Sequence, residues 1–218
     1  MYNLVMKDLK LGIHPLFFIL PLLMGALMLI PSWIYFIVIL YFCWISVPSI
    51  FGGFKAQNDL MFTAMMPVTK KDIVKARVSV FVILELLHIG IAMIFGAITI
   101  RLYPHLTYYF FAPHMGFWGL CFVMLAIVNI IFIPMYYKTA YHYGAAATAS
   151  ITAAQLFAGG AQWLGIQNSF VYDTFNGAGA NNIALQLSIL AAGIAIFIAF
   201  TMIAYRIAAR RFLKVEIL

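Results

Sequence analysis

Four long stretches of the sequence contain no Asp, Glu, Lys or Arg. They cover residues 11–54, 102–137, 139–172 and 174–205 and are 44, 36, 34 and 32 residues long. A helix needs about 20 apolar residues to cross the roughly 30 Å hydrocarbon core of a bilayer. Only 9% of the residues are charged, whereas about a quarter are charged in an average soluble domain. The sequence therefore predicts an all-α integral membrane protein that forms a single transmembrane domain over residues 1–218.

Five membrane-crossing helices fit these stretches, and a sixth is predicted between the first two stretches, at residues 78–100. The first stretch is long enough for two passes and has Pro31 and Ser32 near its middle, so it predicts a helical hairpin. Within the third helix only Glu85 and His88 are ionisable. The predicted helices one to six span residues 11–30, 32–54, 78–100, 114–137, 144–165 and 183–205.

The basic residues fall almost entirely on one side of this topology. Twelve of the thirteen lie in the amino-terminal segment, in the loops after helices two and four, or in the carboxyl-terminal tail, and only Arg101 lies on the other side. Basic residues concentrate on the cytoplasmic side of membrane proteins. Both termini are therefore predicted to be cytoplasmic, together with the loops 55–77 and 138–143 and the tail 206–218, in a protein of the cytoplasmic membrane. The net charge of +7 then reflects topology and anionic lipid headgroups, not nucleic acid.

Residues 1–11 are too short and too polar to cross the membrane. Tyr2, Val5, Met6 and Leu9 recur at helical spacing, and the charged residues occupy the opposite side. Such a pattern predicts an amphipathic helix that lies along the inner leaflet.

The cytoplasmic loop 55–77 contains a helix start. Thr69 is followed three residues later by Asp72, which is a capping-box pattern, and Val68 and Ile73 occupy the two positions of a hydrophobic staple. Pro67 prevents the helix from extending backwards. The loop therefore predicts a short basic helix at the membrane surface. The alternative is that this segment simply begins helix three early.

The amino-terminal helix NLVMKDLKL and the loop NDLMFTAMMPVTKKDIVKAR resemble the small type 2 ABC permeases. Within that group the chain is similar to permeases of exporters for phenol-soluble modulins and for bacitracin-like peptide antibiotics. The resemblance implies a dimer with a second permease copy or a paralogue, which works with a separate cytoplasmic ABC ATPase. ATP and Mg would be bound by that ATPase, because the chain has no GxxxxGK[ST] phosphate loop. No cofactor is expected in the chain itself.

The resemblance also implies a substrate and a set of sites. The substrate would be an amphipathic or hydrophobic peptide, antibiotic or lipid-like molecule that leaves the cell. Helices one and five would lie at the dimer interface, and residues 166–182 would re-enter the membrane from outside. The helix that couples to the ATPase would contain Pro67, Val68, Thr69, Lys70, Lys71, Asp72, Ile73, Lys75 and Arg77.

Helix five is built largely from small residues. Small faces let two helix backbones approach closely in a membrane, so we expect tight packing either across a dimer interface or within one subunit. The small residues that recur at four-residue spacing are Gly144, Thr148 and Thr152, and Ala145, Ala149 and Ala153.

Glu85 and His88 lie three residues apart and therefore on one face of helix three. An ionisable residue inside the membrane is a candidate for function, so the pair either lines a substrate path or fastens helices together. An intramembrane enzyme that uses this pair is a rival hypothesis, although the chain has no HExxH motif. A substrate-binding subunit of an uptake transporter is a second rival, which predicts no helix for docking an ATPase.

Overall fold

The computed structural model describes residues 2–139 and 142–215, and all regular secondary structure in these ranges is helical. Parts of the predicted loop 138–143 and of the tail 206–218 lie outside the described residues. We number the helices in chain order; α1 and α3 each include a π-helical turn, and a 3-10 turn, Ala178–Asn181, precedes the last helix. The helices are α1 Tyr2–Gly12, α2 Leu16–Leu29, α3 Phe36–Ala56, α4 Asp59–Ala64, α5 Lys70–Leu102, α6 Met115–Thr139, α7 Gly144–Gln167, α8 Ser169–Phe175 and α9 Ile183–Leu213.

Four of these helices, α3, α5, α6 and α9, are long and apolar enough to cross a membrane. Helices α1 and α2 meet at an angle of 73° and make a fifth span if they count as one bent element. Helix α7 has 24 residues, about 36 Å at a rise of 1.5 Å per residue, but its Gly, Ala and Gln content keeps it outside this apolar set. The prediction of six spans therefore depends on the bent pair and on α7.

Pro31 and Ser32, where the hairpin turn was predicted, lie between α2 and α3. Other boundaries differ from the prediction. Helix α5 begins at Lys70, eight residues before the predicted start of helix three, and α9 continues to Leu213 instead of ending at residue 205. The segment after Thr69 is thus the first part of α5 and not a separate short helix.

Helix α6 forms the centre of the bundle, with 72% of its apolar stretch buried. It packs closely along α9 where two glycines face each other. A Cβ atom at Gly119 would lie 2.5 Å from the carbonyl oxygen of Ile189, and one at Gly193 would collide with the carbonyl of Gly119. The backbones of α6 and α9 therefore approach closely at these two glycines, which the sequence did not single out.

Two side-chain amides, of the half-buried Asn176 and the buried Gln186, organise the end of the bundle that is predicted to face outward. The Asn176 side chain accepts a hydrogen bond from the backbone N–H of Ala112 at 2.8 Å and donates one to the carbonyl of Phe110 at 3.0 Å. The Gln186 side chain accepts from the N–H of Gly116 at 2.7 Å and donates to the carbonyl of Thr174 at 2.7 Å. These bonds fasten α8 and the following turn to the loop between α5 and α6.

Candidate functional site

The loop between α3 and α5 contains a helix that the sequence did not predict, α4. It begins after Asn58, whose φ of 48° is left-handed, a conformation that Asn tolerates better than most residues. Three apolar side chains of α4 and the turn after it point away from the protein. Phe62 is 60% exposed, Met65 is 73% exposed, and Met61 is also exposed.

Four buried or nearly buried charges hold α4 in place. This ion cluster consists of Lys7 and Asp8 from α1, Asp59 from α4 and Arg77 from α5. The ammonium nitrogen of Lys7 lies 2.7 Å from the Asp59 carboxylate and 3.1 Å from that of Asp8. The Arg77 guanidinium contacts both carboxylates, through Nη2 to Asp59 and through Nε to Asp8 at 3.4 Å. The cluster joins three helices at one end of the bundle.

Further contacts complete the surroundings of the cluster. Lys7 donates a second hydrogen bond to the Thr63 hydroxyl at 2.6 Å, and the Arg77 guanidinium carbon lies 3.8 Å from the centre of the Phe54 ring. Burial raises the pKa of Asp59, but the charges of Arg77 and Lys7 outweigh burial and hold that pKa below its ordinary value of 3.8. Asp59 is therefore charged at neutral pH. Two positive and two negative charges balance each other, which is the condition under which buried charges are tolerated.

The cap at the start of α5 has the predicted partners. Thr69 is the N-cap residue, and its hydroxyl oxygen accepts a hydrogen bond from the backbone N–H of Asp72 at 3.1 Å. The same hydroxyl donates to the Asp72 carboxylate at 2.6 Å, and this bond lowers the pKa of Asp72. The predicted staple residues also pack inward, since Ile73 is buried and Val68 is half-buried against the core.

The residues predicted to contact an ATPase do not all face the surface. Ile73 and Arg77 are buried, so in this conformation neither can touch a docked partner. Ile73 belongs to the core, and Arg77 belongs to the ion cluster. The exposed members of the set are Pro67, Thr69, Lys71 and Lys75, and the half-buried ones are Val68, Lys70 and Asp72.

Glu85 and His88 are both buried, and each bonds to a different helix. The Glu85 carboxylate, which is 0% exposed, accepts a hydrogen bond from the Asn129 side chain of α6 at 2.9 Å. Asn129 also donates to the Thr201 hydroxyl of α9 at 3.0 Å. His88 donates from Nε2 to the carbonyl of Val38 in α3 at 2.8 Å. Across the described ranges, no group of three or more His, Cys, Asp and Glu side chains could hold a metal ion.

The small face predicted on helix five is mostly exposed in the single chain. Within the subunit α7 packs through a different set of small residues, which includes Ala146, Ser150, Ala154 and Ala158. Of the predicted packing residues, Gly144, Ala145, Thr148 and Thr152 are exposed, and Ala149 and Ala153 are half-buried.

Sequence reasoning missed most of the ion cluster and the partner of Glu85. Asp8, Asp59 and Asn129 were not predicted to have any role. A usable signal was present, because four of the chain's six acidic residues, Asp8, Asp59, Asp72 and Glu216, fall among the basic ones in the segments predicted to be cytoplasmic. Buried counter-charges for those basic residues were therefore to be expected there.

The chain is thus a multi-pass α-helical membrane protein with exposed apolar side chains beside a buried ion cluster at one end. A family model described as an ABC-2 family transporter protein matches residues 3–212, nearly the whole chain. The chain belongs to this family of transporter membrane proteins. A search of curated proteins and a search of solved structures each matched nothing. Family membership makes the chain a transport subunit that operates with an ATPase subunit.

Proposed function

We propose that the chain is the permease of an ATP-driven exporter, and that α4 with the turn after it docks on the cognate ATPase. The observation that carries this proposal is the exposed apolar side of α4 beside a buried ion cluster. Exposed Phe and Met side chains at the same end as many basic residues suit a groove on a soluble partner. Lys71, an exposed residue of the predicted coupling segment, continues this surface, whereas Lys75 lines a groove between α5 and α9.

The ion cluster supplies the mechanical link in this proposal. A force on α4 passes through Asp59 to Arg77 in α5 and to Lys7 in α1. Helix α5 is one continuous element of 33 residues, so a displacement of its first turns reaches the opposite side of the membrane. A docking helix on a flexible tether would absorb that motion instead.

The docking surface is tested with Phe62→Asp in the permease purified together with its ATPase. We expect loss of copurification and of permease-stimulated ATP turnover, because a charge replaces the most central apolar side chain of α4. The matched control is Phe170→Asp, since Phe170 is an exposed Phe on the short helix α8 and α8 is predicted to face outward. If Phe62→Asp retains the ATPase while the permease is folded, α4 contacts only lipid headgroups.

The substrate class rests on the resemblance to exporters of amphipathic peptides and antibiotics. We propose an amphipathic or hydrophobic peptide, antibiotic or lipid-like molecule, moved outward. Inside-out vesicles that contain the permease and the ATPase should accumulate a fluorescent amphipathic peptide when ATP is added. ATP-driven loss of preloaded peptide from these vesicles would instead indicate uptake into the cell.

In the described conformation Glu85 and His88 are buried and reach no surface of the protein. We therefore propose that they hold α5 against α6 and α3 and do not line the substrate path.

The proposed topology has both termini in the cytoplasm and six spans. Asn181→Cys, in the exposed turn before α9, should react with an impermeant thiol reagent from outside intact cells, and Lys71→Cys should not. Asn181 is a better site than Gly177, where a Cβ atom would lie 2.7 Å from the Asp173 carboxylate. Background labelling is low because Cys43 and Cys121 are buried. Outside labelling at position 71 would overturn this orientation.

A further inference from the structure

A groove opens between α5 and α9 on a surface that faces the membrane. Its volume is about 390 Å³, and its apolar walls are formed by Val78, Val82 and Ile83 of α5 and by Met202 and Tyr205 of α9. Only 17% of the apolar stretch of α9 is buried inside the protein, so most of this helix is left to contact lipid. The groove is therefore a feature that membrane lipid must fill.

The length of the groove matches one leaflet. Along α5 it extends from Lys75 to Ile83, which is about 12 Å at a rise of 1.5 Å per residue. Half of a hydrocarbon core of about 30 Å is roughly 15 Å. An acyl chain that enters beside Lys75 thus stays within a single leaflet.

A positive charge at the end of the groove nearest the start of α5, the shallow end, favours an anionic headgroup. Lys75 is exposed at that end and forms no ion pair with any residue that the structure describes. The Ser79 hydroxyl lies one turn deeper in the groove, and Arg206 and Arg210 follow Tyr205 on α9. Basic pockets between membrane helices at the cytoplasmic side attract anionic headgroups.

We propose that this groove binds an anionic phospholipid of the cytoplasmic leaflet, with an acyl chain between α5 and α9 and the headgroup phosphate at Lys75. The deep part of the groove reaches Thr201, whose hydroxyl is bonded to Asn129 and through it to Glu85. A lipid in the groove therefore contacts Thr201. Through Asn129, Thr201 belongs to the hydrogen-bonded set with Glu85 that joins α5, α6 and α9.

Quenching by brominated lipid tests the site. Met202→Cys carries a fluorescent label in the groove, and the permease is reconstituted in phosphatidylcholine vesicles with increasing fractions of brominated phosphatidylglycerol or brominated phosphatidylcholine. We expect an about fivefold preference for phosphatidylglycerol, which corresponds to roughly 1 kcal/mol for one basic residue near an anionic headgroup. Lys75→Gln should reduce the preference to about one, and Lys75→Arg should retain it.

Two controls separate this site from a general attraction to the basic surface. Lys71→Gln removes an exposed charge that does not line the groove, so the preference at Met202→Cys should persist. A label at Ile198→Cys, an exposed position of α9 outside the groove, should show no preference. Equal quenching by the two lipids at position 202, or an unchanged preference in Lys75→Gln, would overturn the proposal. No ATPase is present in these vesicles, so the result is independent of the proposed export function.

Discussion

At the scale of single residues, the ion cluster contains all the ion pairs found among the residues that the structure describes, and α1, α4 and α5 share it. Removal of one partner from a buried ion pair costs about 3–5 kcal/mol, because the remaining charge stays buried without compensation. Lys7 and Arg77 each pair with both Asp8 and Asp59, and Arg77 is the more buried of the two cations.

Asp59→Asn should therefore destabilise the cytoplasmic end of the bundle and uncouple α4 from α5. We expect a lower melting temperature in detergent and weaker permease-stimulated ATP turnover. Asp72→Asn is the matched control, because Asp72 lies in the same loop but outside the cluster. The double variant Asp59→Asn with Arg77→Met should lose less stability than the sum of the single variants, since it removes the charge that Asp59→Asn strands. Additive losses would show that the two side chains do not act as a pair.

Glu85 differs from the ion cluster, because it is a single buried carboxyl group with no charged partner in the described structure. Its hydrogen-bond partner is the side-chain amide of Asn129. Glu85→Gln keeps an oxygen that can accept the Asn129 hydrogen bond, so we expect wild-type melting temperature and wild-type permease-stimulated ATP turnover. Glu85→Leu removes that acceptor and should cost about 1–3 kcal/mol. Reduced turnover in Glu85→Gln at equal protein level and stability would place Glu85 in the substrate path.

At the scale of the helices, the start of α5 is set by one residue. Thr69→Ala removes the side-chain oxygen that accepts from the Asp72 N–H, which should cost about 0.5–2 kcal/mol of local helix stability. We expect faster hydrogen exchange of the first-turn amides of α5, and Thr69→Ser should behave like wild type. The bundle as a whole should keep its melting temperature, because α5 is held by its packing along most of its length. Unchanged exchange in Thr69→Ala would mean that the cap contributes nothing.

This cap could be predicted from the sequence because its partners are three residues apart. Acidic residues among the basic ones indicated that counter-charges were present, but their pairing in the ion cluster could not be predicted. The bonds between its helices join residues 18, 52 and 69 positions apart, and no local pattern records such distances. Helix α4 was missed for a related reason. It has six residues, too few to show a period, and its position depends on Asp59 reaching Arg77.

The small residues show that the faces through which helices pack are also hard to predict from the sequence. The repeat in α7 is visible in the sequence, and the structure leaves much of it exposed. The close contact between α6 and α9 uses one glycine from each helix, Gly119 and Gly193, and a single glycine in an apolar helix gives no signal. The number of long helices follows from the charge-free stretches, whereas the identity of the touching faces depends on the three-dimensional arrangement.

At the scale of the whole molecule, α7 is the helix whose exposed side is least suited to lipid. Thr148, Thr152, Gln155 and Gly159 follow one another at spacings of three and four residues, and all are exposed in the single chain. A polar amide such as that of Gln155 costs free energy when it faces hydrocarbon without a partner. Small and polar side chains of this kind are typical of contacts between membrane helices.

We therefore predict that two copies of the permease pair through the exposed side of α7. In a two-fold symmetric dimer, residues near the axis face their own copies, so Thr152→Cys should form a disulfide-linked dimer when membranes are oxidised. Ile198→Cys is the control, because Ile198 is also exposed on α9 but lies in a stretch, residues 191–200, whose exposed side chains are all apolar. Gln155→Leu should weaken the dimer, since it removes the side chain that can bond across the axis, and Thr152→Leu should weaken it further by separating the backbones. Crosslinking at position 198 without crosslinking at position 152 would place the interface on α9. If Thr152→Cys crosslinks only when a second, paralogous permease carries a cysteine in the corresponding helix, the partner is that paralogue.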